Sequence, residues 1–508
     1  MRVRRGADRG VGSAVAGRAN GKKARQAGAL VLATLALGLA GCAAGPEYRK
    51  PALDLPVAWT LEAPWREGRP ADLAPKGPWW LRFADPTLDA LERQAIASSP
   101  TLAIAAGRLA QARAVVGSTS AALFPQINLT TRTARQRISA NRPLSNYNAP
   151  NFATVQDDFV ASLGASYEVD LAGRVQRSIE GVRASAEQSA SDFENTRLVL
   201  TTDLGTSYYA LRATDIELDA LARSIALQRR ALDLISTRHD LGAASGLEVA
   251  QQQALLDTTL TQVDLLKRQR SVYEHAIATL SGTPAPVFAL GPDLREVTPP
   301  QVPVGVPSDV LERRPDVASA ERAMAAANAQ IGVATAAFYP SVTLGPSFGA
   351  ESRSLASLFD APSLIWSIGV SLAQPLFDAG RIQANVDFAR AGYDVTVATY
   401  RRTVLTAMQE VEDGISGVAR LESAAAQADV AVASSRHLLD LATARFEGGA
   451  SAYLDVVTAQ QSLLASERLA AQLRGQRLLA SVFLVKALGG DWDRSAALAA
   501  SSAAVPAR

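Results

Sequence analysis

Few residues of this 508-residue chain have the type and setting for chemistry. Gly345-Pro346-Ser347-Phe348-Gly349 fits the G-x-S-x-G turn that lifts a nucleophilic serine from a strand onto a helix. The setting opposes that reading. The run lies inside an alternating, strand-like segment, Pro346 sits within it, and no helix pattern starts at Gly349. The only histidine downstream, His437, falls in a long helical stretch. His239, His275 and His437 lack the spacing of a zinc site. No phosphate-binding loop, dinucleotide fingerprint or C-x-x-C pair occurs. No catalytic residue and no metal ligand is assigned, and the chain reads as a non-enzyme.

One side chain does have a reaction to offer. Cys42 is the only cysteine, and it follows Leu39-Ala40-Gly41. Lys22, Lys23 and Arg25 precede an apolar run from Ala27 to Ala40, too short to span a bilayer but suited to a signal-peptide core. Leu-Ala-Gly-Cys resembles the lipobox of bacterial lipoproteins, in which the thiol is acylated and the cysteine becomes the first residue. A lone exported thiol cannot form an internal disulfide. Acyl chains such as palmitate on Cys42 would anchor the chain, each buried methylene contributing ~0.8 kcal/mol. Residues 1–41 are therefore read as a signal peptide, and the covalent lipid as the only prosthetic addition. Ala43, rather than Asp, follows the cysteine and suggests outer-membrane sorting, by resemblance to other lipoproteins.

The formal charge of +2 comes from that leader. Residues 1–41 hold eight basic groups and one acid, leaving 43 basic and 48 acidic groups beyond them. The mature chain has no basic excess to recruit nucleic acid.

The remainder contains itself twice. At a constant offset of 207, Gly173-Arg174 falls on Gly380-Arg381, Arg238 on Arg445, Gly242 on Gly449, Gln253 on Gln460, Arg270 on Arg477 and Gly282 on Gly489. Upstream, at an offset of 215, Pro100 falls on Pro315 and Pro125 on Pro340. Each copy has a proline-free stretch, between Pro150 and Pro284 and between Pro375 and Pro506. In the first, Leu204, Leu211, Leu218, Ile225 and Leu232 recur every seven residues; in the second, Val404, Val411, Val418, Ala425, Val432 and Leu439 do. A sustained heptad predicts coiled-coil helices. One over 175–237 would run roughly 90 Å at about 1.5 Å per residue. Each ends in a glycine-bearing turn, 241–246 and 448–452, from which a second helix returns.

Before each helical hairpin the period changes to two. Phe159, Ala161, Leu163, Ala165, Tyr167 and Val169 alternate with small or polar residues, as do Leu364, Trp366, Ile368, Val370 and Leu372. Weaker partners lie near 126–137 and 341–351. One apolar and one small or polar face suits transmembrane barrel strands. Four strands cannot close such a barrel, which takes on the order of eight or more. An open sheet edge is not tolerated in lipid. Strands that span must be pooled between protomers, so a homo-oligomer follows. The domain plan is residues 42–98 as a lipid-anchored equatorial segment, 99–283 as repeat 1 with β-hairpin 126–170 and helical hairpin 173–282, and 284–312 as a linker. Repeat 2 covers 313–490, with β-hairpin 341–375 and helical hairpin 380–489, and 491–508 is a disordered tail. The alternative left open is a lipid-anchored periplasmic coiled-coil scaffold that never crosses the membrane.

Several strings resemble the TolC-like outer-membrane efflux proteins, in particular the NodT/OprM lipoprotein subgroup. They are Gly45-Pro46-Glu47-Tyr48-Arg49-Lys50-Pro51, Trp79-Trp80, Tyr167-Glu168-Val169-Asp170-Leu171, Leu311-Glu312-Arg313-Arg314-Pro315-Asp316-Val317 and Gln374-Pro375-Leu376-Phe377-Asp378-Ala379-Gly380-Arg381. The resemblance implies an α+β trimer with a shared twelve-strand β-barrel on an α-helical periplasmic tunnel. It implies an outer-membrane duct for drugs or other small solutes, coupled through a periplasmic adaptor to an inner-membrane pump of the RND type. It places adaptor docking at the tips, with Leu241, Gly242, Ser245, Leu247, Gly448, Gly449, Ser451 and Leu454 as candidates. It puts an acidic aperture at Asp455, where Thr458 stands in place of a second acid found in some relatives. Arg313, Arg314, Asp316 and Glu321 are read as structural.

Overall fold

The computed structural model describes residues 44–49, 77–140, 154–300 and 313–490. Cys42, the signal-peptide segment and the 491–508 tail lie outside them. In chain order the elements are α1 (Pro86–Ser98), α2 (Pro100–Ser120), β1 (Gln126–Ile138), β2 (Thr154–Val169), α3 (Arg174–Asp240) and α4 (Gly246–Leu280). Then come α5 (Pro315–Ala336), β3 (Ser341–Leu344), β4 (Ser347–Ser352), β5 (Leu364–Ser367), β6 (Val370–Ala373), α6 (Arg381–Glu447) and α7 (Tyr453–Ala487). The described residues divide into two units: one takes residues 44–48, 116–140, 154–182 and 326–393, the other the rest.

The first unit holds the sheet. All pairs are antiparallel: β1 with β2, β2 with both β3 and β4, β4 with β5, and β3 with β6. β3 and β4 are two halves of one strand path, as are β6 and β5, so the sheet has the four paths foreseen. Pro346, which disfavours a central ladder position, lies at the break between β3 and β4. The break does not shift the register. Tyr167 pairs with Leu344 and Gly164 with Ser347, leaving two residues on each side, and the Ala165 amide donates to the Pro346 carbonyl at 2.9 Å. Proline costs one ladder bond here and no slip.

The second unit holds the hairpins, with α3 from Arg183 and α6 from Asp394 onward. The heptad positions face inward: Leu204, Leu211, Val404, Val411 and Ala425 are buried. Its largest core gathers Trp79, Phe83, Leu88, Leu204, Tyr208 and Val482. Asp85 caps α1 by accepting from the amides of Thr87 and Leu88, and the Tyr208 hydroxyl donates to its other oxygen at 2.7 Å. The duplication is visible in the packing. Gly282 ends the first hairpin at φ +73°, and a Cβ there would stand 2.6 Å from the Ser98 carbonyl; Gly489 ends the second at φ +81°, its Cβ 2.9 Å from the Arg313 carbonyl. Ser98 and Arg313 are themselves repeat mates at the upstream offset, so one closure has been built twice. Arg314 is structural: it is buried and binds Asp316, Glu410 and the Ala487 carbonyl.

Candidate functional site: hairpin tips, aperture and barrel wall

The turns at the two tips are the same object. Ala243 and Gly242 amides donate to the Arg238 and His239 carbonyls at 2.7 and 2.8 Å; Ala450 and Gly449 amides donate to those of Arg445 and Phe446 at 2.8 and 3.0 Å. This is the 6→1, 5→2 bonding of a glycine-stopped helix, with Gly242 at φ +75° and Gly449 at φ +70°. Leu241, Leu247 and Leu454 are exposed at the tips, as are Gly448, Gly449 and Ser245. Ser451 is half-buried, and its hydroxyl has no partner among the described residues.

The next three residues part company. In the first copy Ser245 caps α4: its Oγ accepts from the Glu248 amide at 3.4 Å, and Glu248 Oε2 accepts from the Ser245 amide at 2.7 Å. The acid is spent on the cap. In the second copy the cap is Ala452, with no side chain to accept. Asp455, the repeat mate of Glu248, is exposed, and its carboxylate has no hydrogen-bond or ion-pair partner among the described residues. Its carboxylate is left outside any cap. Thr458, one turn on, is exposed with its hydroxyl donating to the Leu454 carbonyl at 2.8 Å.

Sequence reasoning missed what joins the two tips. Gln252 Nε2 donates to the Gln228 carbonyl at 3.0 Å and to Gln460 Oε1 at 3.3 Å; the Tyr453 hydroxyl donates to Gln252 Oε1 at 2.9 Å. All four side chains are buried. Burial, followed by the charge of Glu248, pushes the Tyr453 phenol up to about 12, so it remains a donor at neutral pH. Outside this layer Arg238 of the first tip lies over the Phe446 ring, 5.0 Å from its centroid, and Phe446 meets Tyr453 edge to face. The signal was present in part: Gln252, Leu256 and Thr259 form a helical stripe, and the glutamine occupies a core position.

The sheet supplies the wall. Leu129 pairs with Leu163, Leu163 with Phe348 and Phe348 with Trp366, an apolar row across all four paths. Each of the four is at least half exposed. The adjacent row on the opposite face is Asn128, Gly164, Ser347 and Ser367. The supposed nucleophile Ser347 therefore stands on the small, polar face, its hydroxyl 2.8 Å from that of Ser367. No helix among the described residues is long and apolar enough to cross a membrane. No group of acids, histidines or cysteines there could hold a metal ion.

A model of the outer membrane efflux protein family matches residues 91–283 and again 306–490. The chain belongs to that family. The pyoverdine export outer membrane protein OpmQ of Pseudomonas aeruginosa is 32% identical over 465 residues, covering 91% of this chain and 96% of its own length. The toluene efflux pump outer membrane protein TtgF of Pseudomonas putida is 31% identical, covering 90% and 96%. Among solved structures, the outer-membrane channel OprN is similar with a TM-score of 0.80 at 26% identity, covering 89% of this chain and all of that one. This efflux protein is an outer-membrane channel of the α+β, TolC-like fold, whose protomers pool their strands in a trimeric barrel. A scaffold that stays out of the membrane is thereby set aside: the apolar row that would be stranded in water is the face such a barrel turns to lipid.

Proposed function

We propose that three copies of this chain form a passive export duct for drugs or other small organic solutes, with an RND-type inner-membrane pump supplying the energy through a periplasmic adaptor. OpmQ is named for pyoverdine and TtgF for toluene. A passive duct takes its selectivity from its pump, so small solutes as a class are the appropriate reading. No catalysis is assigned. The duct needs no cofactor beyond the lipid on Cys42, which lies outside the described residues.

The observation that carries this reading is the release of Asp455. One unpartnered carboxylate per protomer, converging on a threefold axis, repels its copies, holds water and favours cations. With Thr458 in place of a second acid, the ring is a single tier. The exposed leucines Leu241, Leu247 and Leu454, with the turn residues Gly242, Ser245, Gly448, Gly449 and Ser451, form the adaptor's docking surface. The test is conductance of the purified oligomer in planar bilayers. Cation-selective channels that widen in Asp455→Ala support the reading; a wild-type protein that conducts nothing refutes it. Cys42→Ser removes the lipid while leaving the barrel able to insert, and mass spectrometry of the mature chain reads the loss.

A further inference from the structure

We propose that the outer rim of the barrel's lipid-facing surface holds phosphorylated lipid head groups through Arg135 and Arg137 of β1. Register places the two arginines. Every second residue of a strand shares a face, so the lipid-facing row at Leu129 continues along β1 as Thr131, Thr133, Arg135 and Arg137. Ala161, Phe159, Asp157 and Val155 stand opposite them on β2. α2 leads into β1 at Gln126, and β2 leads out to α3 from Val169. The helical, periplasmic end of the sheet is therefore the one with Gln126 and Val169. Arg135 and Arg137 belong to the other end, at the outer leaflet.

Depth agrees with that placement. The outward positions of β2 from Val169 up to Phe159 are all uncharged: Val169, Tyr167, Ala165, Leu163, Ala161 and Phe159. They span ~33 Å of strand at ~3.3 Å per residue, or about 25 Å of depth at a tilt of about 40°. That is the height of the apolar band of an outer-membrane barrel. The first charges on this face come directly above it, at Arg135 and Asp157, and then at Arg137.

Cation exceeds acid there. Arg135 is 76% exposed and reaches only Asp157, at 3.8 Å. Arg137 is exposed, and its guanidinium has no partner among the described residues. The connection that follows, 139–153, adds Arg142 and no acid. The path through β5 and β6 that a neighbouring protomer brings to the free edge of β1, residues 361–373, holds no acid either.

A guanidinium fork takes a phosphomonoester through paired, charge-assisted bonds. Below the arginines, Leu129, Leu163, Phe348 and Trp366 offer exposed apolar surface to acyl chains. A lipid with a phosphorylated head matches both surfaces. Inorganic phosphate matches one, and there it competes with water for exposed side chains.

Native mass spectrometry of the trimer in neutral detergent tests the site, with lipid A, dephosphorylated lipid A and inorganic phosphate as probes. Wild type should hold lipid A about twentyfold more tightly than its dephosphorylated form and should not saturate with inorganic phosphate below about 50 mM. Arg137→Gln should weaken lipid A about fivefold, and Arg135→Gln with Arg137→Gln about twentyfold, the loss of one and of two cations near a lipid surface. Both side chains are exposed, so neither change disturbs the core. Arg132→Gln removes a cation from the opposite face of the same strand, where it pairs with Asp158; that variant should bind lipid A as wild type does. Equal affinity of wild type for the two lipids, the result expected if Asp360 of a neighbouring copy neutralises Arg137, overturns the proposal. So does a preference for lipid A that survives in the double variant, or a loss in Arg132→Gln as large as in Arg137→Gln. Saturation by inorganic phosphate as tight as by lipid A makes the occupant a free anion and overturns it as well.

Discussion

The two hairpin tips share a turn and differ in what the turn holds. Both stop α3 and α6 with a left-handed glycine, bonded to the same carbonyls. The first then locks its acid in a capping box, Ser245 with Glu248. The second replaces the capping serine by Ala452 and leaves Asp455 unengaged. The same contrast recurs higher up, where Arg270–Asp215 is tight and buried and Arg477–Glu422 is long and exposed. At these two positions copy 1 closes its charges internally, while copy 2 leaves Asp455 uncapped and Arg477 loosely paired. In a duplicated channel, function is to be sought where a repeat has lost the internal partner that its twin retains.

The widest test of that contrast is at the tips. Asp455→Ala should raise single-channel conductance about twofold or more and reduce cation preference, because three converging carboxylates are removed. Glu248→Ala should leave conductance alone and lower thermal stability through a lost cap of about 1 kcal/mol. Equal effects on conductance would erase the distinction.

The first copy also accommodates α1. A Cβ on Gly205 would come within 2.8 Å of Trp79 and 3.8 Å of Glu92, whereas its repeat mate on α6 is Glu412. Glu92 is 0% exposed and neither of its oxygens has a partner among the described residues. Burial raises its carboxyl well above the ordinary value. The unfolded chain ionises first, so the native state's full stability is present below the ordinary carboxylate range. It is lost as pH rises toward the raised value, at about 1.4 kcal/mol per pH unit. Glu92→Gln should therefore unfold at higher temperature than wild type at neutral pH, and the gap should close on acidification toward pH ~4. A pH-independent gap would mean that Glu92 is not neutral in the native protein.

Between these extremes lies the layer that ties copy to copy. Gln252→Leu strands the Tyr453 hydroxyl and the Gln460 amide in the interior and should cost about 1–3 kcal/mol, read as a fall in melting temperature. Gln253→Leu, one residue on, faces solvent and bonds only Asp257; it should cost less than about 0.5 kcal/mol.

Those two neighbours also mark how far the sequence could be read. The heptads on α3 and α6, the stopping glycines and the alternation on β2 each impose a local geometry, and each was legible. Gln253 announced itself by matching Gln460 across the repeat, yet Gln252 is the one that reaches Gln460. Which glutamine turns inward depends on how two hairpins pack, and no single helix encodes that. Pro346 sits in a strand-like run that proline disfavours, and only distant partners fix the register on both sides of it. Glu92 sits with Leu88, Leu91 and Ala95 on the buried face of α1, but an acid on such a stripe could equally lie at its wet edge. The capping difference at the tips was visible as Ser245 against Ala452. Its meaning required the hydrogen bond that Glu248 makes and Asp455 does not.

The smallest expected change tests that meaning most directly. Ala452→Ser with Asp455→Glu copies the first tip's capping box into the second without altering net charge. The serine should accept from the amide at 455, and the glutamate should fold back on the amide at 452, adding about 0.5–1 kcal/mol to stability. Held at the helix terminus, the carboxylate is withdrawn from the passage. Conductance should rise part of the way toward that of Asp455→Ala, although every protomer still carries its acid. Asp455→Glu alone, with no serine to complete the box, should conduct as wild type. If the double variant gains the stability but conducts like wild type, the carboxylate acts through its charge at a distance, and its freedom from the cap is irrelevant. If it gains neither, the alanine at 452 is not what sets Asp455 apart from Glu248.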